Sequence, residues 1–173
     1  ERHLSVWLGM QACSTDSDII AVHDGARPLI TPEQISQSIS AARTRQAAAC
    51  ARPLTETIKR ADANGCITES IDRTGVWVME TPQVFSKALL TQAYEAVLRD
   101  GALVTDEVSA VQHIGVSVFV VENRAPNPKI TFPADLALAE VGLQDAGQHR
   151  ARGLVDVQEV QALVGPESAG PVG

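Results

Sequence analysis

Apolar and polar positions alternate with two different periods along the chain, and the changes of period mark its elements. Leu4, Trp7, Leu8 and Met10 recur at helical spacing and predict an amphipathic helix over 4–13. Asp18-Ile-Ile-Ala-Val-His23 is a short apolar run with β-branched residues, the pattern of a buried strand. Asp24-Gly25-Ala26-Arg27-Pro28 follows directly and has to be a loop. Thr31-Pro32-Glu33 opens a helix, with Thr as N-cap and Pro at the first helical position, running to about Arg45. The small apolar residues of 46–51 predict a second buried strand.

The texture then changes. Leu54–Ala61 and Cys66–Ile71 flank Ala63-Asn64-Gly65, and Asn-Gly between two strand-like runs signals a hairpin. Thr55, Thr57 and Lys59 alternate with Glu56, Ile58 and Arg60, so neither face is apolar enough for a core. Residues 53–75 therefore read as an arm projecting from the body. A lone two-stranded arm is marginal in water, so packing on another chain is expected.

Beyond the arm, Val76–Glu80 predicts a strand closed by Thr81-Pro82, and Ser86–Arg99 a helix stopping near Gly101. Thr105-Asp106-Glu107 opens a further helix, with Thr as cap and acids at its positive end. Val116–Val121 predicts an apolar strand, and Thr131–Ala146 a helix with Pro133 in its first turn. Strands alternating with helices predict a three-layer α/β domain over 1–146, built on a mostly parallel sheet. Residues 147–173, Gly- and Pro-bearing and without period, are expected to form a poorly structured tail.

Composition narrows the function. The 173 residues are 45% apolar and 20% charged, as in a globular domain. Net charge is −7 and aromatics are 3%, which argues against a phosphate-tracking or base-stacking surface for nucleic acid. No apolar run approaches the roughly 18 residues of a membrane span, and no secretory leader is read at the start. Cys13, Cys50 and Cys66 form no CxxC pair and suit buried thiols in a reducing compartment, hence the cytoplasm. His3, His113 and His149 show no metal-site spacing, and neither a P-loop nor GxGxxG is present.

Four polar clusters fall at predicted strand ends or on the arm. Ligands of open α/β sheets sit beyond the carboxyl ends of strands. In the first cluster Asp24 could take a hydroxyl or Mg²⁺, and Arg27 could clamp a phosphate bidentately; an Asp–Arg pair that only fixes the loop is the plain alternative. Asp72-Arg73-Thr74-Gly75 reads by itself as a turn, and Thr105-Asp106-Glu107 as a helix cap. Lys129, in Asn127-Pro128-Lys129-Ile130-Thr131, precedes a helix start, where it is either a solvated lysine or a point charge for phosphate.

Taken in order, these clusters closely resemble one family. The carriers are His23-Asp24-Gly25-Ala26-Arg27-Pro28, Thr57-Ile58-Lys59-Arg60, Asp72-Arg73 with Trp77, and Thr81-Pro82-Gln83-Val84-Phe85. Thr105-Asp106-Glu107 with Ser109-Ala110, and Lys129-Ile130-Thr131 with Pro133 and Asp135-Leu136-Ala137, complete the set. The family is 2-C-methyl-D-erythritol 4-phosphate cytidylyltransferase, and the resemblance runs from Glu1 to about Glu140. It implies a Rossmann-like nucleotidyltransferase domain and transfer of a cytidylyl group from CTP to 2-C-methyl-D-erythritol 4-phosphate, releasing pyrophosphate, in isoprenoid precursor synthesis. Mg²⁺ is implied, bound mainly through the CTP phosphates.

Carried over residue by residue, Arg73 and Lys129 are the expected catalytic pair holding the acceptor phosphate. Asp24, Arg27, Thr57, Thr81 and Thr105 are expected to bind substrate, and Arg2, Ser5 and Asp24 the nucleotide. The resemblance also implies that the arm crosses to a second subunit of a homodimer, so that Thr57 and Arg73 serve the partner's site. Two departures stand out. The family's Gly-rich loop, with the Arg and Lys that hold the CTP phosphates, is not among these residues, so the chain is expected to be N-terminally truncated and incomplete alone. Leu4 also stands where Asp is usual, and Gly25 where Ala is more common. Two alternatives remain: a cytidylyltransferase for another polyol phosphate such as ribitol 5-phosphate, and an inactive dimerisation or binding fragment.

Overall fold

The computed structural model describes residues 2–137, 139–142 and 161–163. Helix α1 spans Arg2–Ala12, β1 Ile19–Val22, α2 Pro32–Arg45 and β2 Ala47–Pro53. The arm carries β3 (Lys59–Ala61) and β4 (Ile67–Ser70). Strand β5 is Trp77–Ser86, α3 Lys87–Asp100, α4 Glu107–His113, β6 Phe119–Glu122 and β7 Gln161–Leu163.

Five strands form one sheet in the order β6-β2-β5-β1-β7. Strand β5 runs against both of its neighbours, while β2 and β6, and β1 and β7, pair in parallel. All strands but β5 therefore point one way, and the sheet is mostly parallel in sense.

The alternation of side chains across β1 separates two cores. Ile20 and Val22 join Ala47 and Phe85 against Val6 and Met10 of α1, Leu89, Leu90, Ala93, Tyr94 and Val97 of α3, and Ala110 and Val111 of α4. Ile19 and Ala21 join Ala48 and Val84 against Ala42 and Ile39 of α2 on the opposite face. The result is three layers of α/β architecture. Small side chains along β2, Ala47 to Ala51, let both helical layers approach closely, and all five are buried.

Several predicted boundaries move. Strand β5 does not end at Thr81-Pro82 but runs on to Ser86, ten residues in all. Pro82 survives inside a sheet because β2 shifts register between Ala49 and Ala51 opposite it, and β1 pairs only as far as Gln83. No ladder bond there needs the missing N–H. The cap of α4 is Asp106 rather than Thr105: its carboxylate accepts from the Ser109 N–H at 2.8 Å. Strand β6 begins at Phe119 instead of Val116. It is an edge strand, and Arg45 lies 4.7 Å over the half-exposed Phe119 ring. Helix begins at 135 rather than Thr131, because Asp135 turns back to accept the N–H groups of Phe132 and Thr131, each at 2.8 Å. Of the expected tail, 161–163 forms the strand beside β1, and the rest lies outside the described residues.

The arm is as expected from its pattern. Every residue of β3 and β4 is exposed, and the pair forms its own two-stranded sheet. Asp62 closes the turn by accepting the N–H groups of Asn64 and Cys66, and Gly65 takes the left-handed conformation at φ 81°. Arg60 pairs with Glu69 at 3.0 Å and Lys59 with Ser70 at 2.6 Å, contacts too exposed to contribute much stability.

Candidate active site

Because β5 is antiparallel, its segment Glu80–Gln83 lies where β1 and β6 end. Three loops meet there, and each is held by a different side chain of β5. Thr81 holds the loop after β1, Glu80 the loop after β6, and Gln83 the start of α4.

The Thr81 hydroxyl is buried between His23 and Asp24. It accepts the Asp24 N–H at 3.1 Å and lies 2.9 Å from His23 Nδ1. His23 Nε2 lies 3.2 Å from the Arg27 carbonyl, which can only accept. The proton therefore sits on Nε2, Nδ1 is an acceptor, and the Thr81 hydroxyl donates to it. Burial lowers the His23 pKa, so the ring is neutral at pH 7.

This turn presents Asp24 and Arg27, whose side chains are only 13% and 12% exposed. Arg27 Nε lies 3.4 Å from Asp24 Oδ2, and Lys129 Nζ approaches the same oxygen at 3.5 Å. Arg27 also donates through Nη1 to the Asn127 carbonyl at 2.7 Å, and the Ile130 N–H bonds the Ala26 carbonyl at 2.8 Å. The loops after β1 and β6 are thus laced together around two cations and one carboxylate. The cluster lies at the carboxyl ends of strands, where ligands of open α/β sheets sit.

Glu80 accepts from Asn123 Nδ2 at 2.6 Å and from Asn127 Nδ2 at 3.2 Å, with Arg52 Nε at 3.8 Å. Gln83 grips α4 twice, donating to Asp106 at 3.0 Å and accepting the Val108 N–H at 3.1 Å. Glu80, Asn123 and Gln83 had not been singled out for a role at the site. Their signal was faint: Glu80 and Gln83 stand between the apolar stretches 76–79 and 84–85, and Asn123 lies just past the apolar run 116–121.

The predicted residues do not all converge. Asp24, Arg27, Thr81 and Lys129 form one contact cluster, in which Thr81 serves the loop rather than facing outward. Thr105 is exposed and meets Ser109 at 3.1 Å, next to Asp106, which Gln83 holds. Arg73 and Thr57 lie exposed on the arm. Arg73 donates to the Thr55 carbonyl across the base of the arm. Asp72 accepts from Thr74 N–H and hydroxyl, which hold its carboxyl below its usual range, and Gly75 completes that turn at φ 73°. Ser5 is an exposed residue of α1, and Arg2 begins that helix, its side chain outside the described residues. Among the described residues no group of three His, Cys, Asp or Glu could hold a metal ion.

Fold and site together define a nucleotidyltransferase-like α/β domain whose strand ends gather Arg27, Lys129 and Asp24. The family model for 2-C-methyl-D-erythritol 4-phosphate cytidylyltransferase matches residues 1–145. The chain belongs to that family. The chloroplastic 2-C-methyl-D-erythritol 4-phosphate cytidylyltransferase of Oryza sativa subsp. japonica is 42% identical over 140 residues, spanning 81% of this chain and 47% of that protein. The enzyme of that name from Caldanaerobacter subterraneus subsp. tengcongensis is 43% identical over 144 residues, 83% of this chain and 63% of that protein. The crystal structure of 2-C-methyl-D-erythritol 4-phosphate cytidylyltransferase from Thermus thermophilus superposes with a TM-score of 0.75 at 32% identity, covering 82% of this chain and 68% of that one. The chain thus spans from about half to under two thirds of the length of these curated relatives.

Proposed function

We propose that this chain forms the acceptor side of a cytidylyltransferase that joins CTP to 2-C-methyl-D-erythritol 4-phosphate. The observation that carries the reading is the convergence of Arg27 and Lys129 on Asp24 Oδ2, at 3.4 and 3.5 Å, beyond the carboxyl ends of β1 and β6. Family membership supplies the substrates.

A phosphate oxygen of the acceptor attacks the α-phosphorus of CTP. The new P–O bond forms as the bond to the bridging oxygen breaks, and pyrophosphate leaves with that electron pair. The nucleophile is already anionic, so no general base is required. What the protein supplies is position and positive charge. Lys129 and Arg27 hold the acceptor phosphate, and Asp24 keeps the two cations at a fixed spacing and stands ready for a substrate hydroxyl. Mg²⁺, when bound with the nucleotide, neutralises charge on the triphosphate. Asp24, the carboxylate of this cluster, already faces two cations, which suits an ion carried mainly by the phosphates.

The arm supports a homodimer in which Arg73 and Thr57 reach the partner's acceptor site. Both are exposed, as is every residue of β3 and β4. A cytoplasmic setting fits the free thiols Cys13, Cys50 and Cys66. No described helix is long and apolar enough to cross a membrane.

The test is cytidylyl transfer by the full-length gene product, offered CTP with 2-C-methyl-D-erythritol 4-phosphate or with ribitol 5-phosphate. Faster turnover of the methylerythritol substrate supports the reading. Preference for ribitol 5-phosphate replaces the acceptor, and no transfer to either rejects the activity.

A further inference from the structure

We propose that Asn127, backed by Glu80, is a positioning residue that sets Arg27 and Lys129 at the acceptor site. The inference rests on the cytidylyltransferase reading for its kinetic consequences, though not for its structural ones.

Asn127 holds one cation directly and stands close to the other along the chain. Its carbonyl takes the Arg27 Nη1 proton at 2.7 Å, and it lies two residues before Lys129. Its side chain is buried and donates twice, to Glu80 Oε2 at 3.2 Å and to the Thr81 carbonyl at 2.9 Å. Both neighbours only accept, so the orientation of the amide is determined. Its own Oδ1 is buried with no hydrogen-bond partner among the described residues. An amide that leaves its acceptor idle while using both donors is retained for donation.

Glu80 is the other half of the device. The same Oε2 receives Asn123 at 2.6 Å, so one carboxylate oxygen fastens both ends of residues 123–127. Asn123 is itself tied to β2 through its N–H to the Ala51 carbonyl at 2.7 Å. Glu80 sits in β5 beside Thr81, which fixes Asp24. Adjacent residues of one strand therefore locate all three charges of the cluster. Neither Glu80 nor Asn127 would touch substrate.

Two readouts in the full-length gene product test this. In Asn127→Ala and Glu80→Ala, amide exchange at Ile130 N–H should quicken about ten-fold or more, while Ile20 in β1 stays protected. KM for 2-C-methyl-D-erythritol 4-phosphate should rise about ten-fold or more, with KM for CTP moving less than about two-fold. Glu80→Gln, which keeps one acceptor oxygen, should recover most of both losses. If Asn127→Ala does not fold, Asn127→Ser replaces it, since its short hydroxyl cannot serve two acceptors. Unchanged exchange at Ile130, or a fall in kcat matching the folded fraction with both KM values unmoved, overturns the proposal. Absence of cytidylyl transfer by the unsubstituted protein sinks the functional reading instead, and the exchange measurement still decides the positioning.

Discussion

The Thr81 hydroxyl stands 2.9 Å from His23 Nδ1 while accepting the Asp24 N–H at 3.1 Å, so one buried oxygen holds two consecutive residues of the β1 loop. Thr81→Val, nearly the same size, would strand a ring nitrogen and a backbone N–H together. Unmet buried groups cost about 1–3 kcal/mol each, so a loss of about 2–6 kcal/mol is expected in urea unfolding, with Thr81→Ser close to the parent. Equal stabilities for Val and Ser would show that the hydroxyl is not engaged.

His23 makes that loop sensitive to acid. Burial lowers its pKa from 6.5, so the unfolded chain binds the proton more readily than the folded one. Stability should therefore decline as pH falls below about 6.5 and level off beneath the folded pKa. Unfolding midpoints for the parent and His23→Gln across that range check it. The difference between their slopes is the His23 contribution, and parallel curves would remove it.

Arg73→Ala is expected to cost far more turnover than Lys59→Ala, because Lys59 reaches only Ser70 on the arm surface. If Arg73 acts across the dimer, mixing inactive Arg73→Ala and Lys129→Ala chains should return about a quarter of the parent rate on free subunit exchange. Half of the dimers are mixed, and each has one intact site. No recovery from the mixture would confine every site to one chain.

Gln46 ends α2 in the left-handed region at φ 67°, while its N–H bonds the Ala42 carbonyl. That conformation costs a residue with Cβ about 1 kcal/mol, part of which returns as the greater freedom of unfolded Gly. Gln46→Gly should stabilise the protein by about 0.5 kcal/mol in thermal unfolding. A lower midpoint would mean that the side chain does more than cap.

The thiols should separate kinetically. Burial, with help from the Glu80 charge, pushes Cys50 up to about 11, and Cys13 is also buried. A thiol reagent at neutral pH should label exposed Cys66 first and the other two only on opening. Simultaneous labelling of all three would contradict the burial.

Much of this was legible in the sequence because local chemistry settles it. Thr31-Pro32 starts α2, Gly101 stops α3 at φ 61°, and the apolar run 47–51 makes a strand buried on both faces. The errors came from long-range partners. Thr105 and Asp106 are both good caps, and Gln83, far off in sequence, engages Asp106. Thr81-Pro82 reads as a strand end unless the register shift in β2 is known. At the site, Asp24, Arg27 and Lys129 carried visible chemistry. Glu80 and Asn127 matter through hydrogen bonds spanning 47 residues, which no local pattern records.

Strand β5 joins these threads. Glu80, Thr81 and Gln83 lie within four consecutive residues, and each suspends a different loop. A single strand thus acts as a common keel for the pocket. A small slide of β5 against β2 would shift every loop in concert, and paired substitutions on this short stretch should depart from additivity even where their side chains never meet.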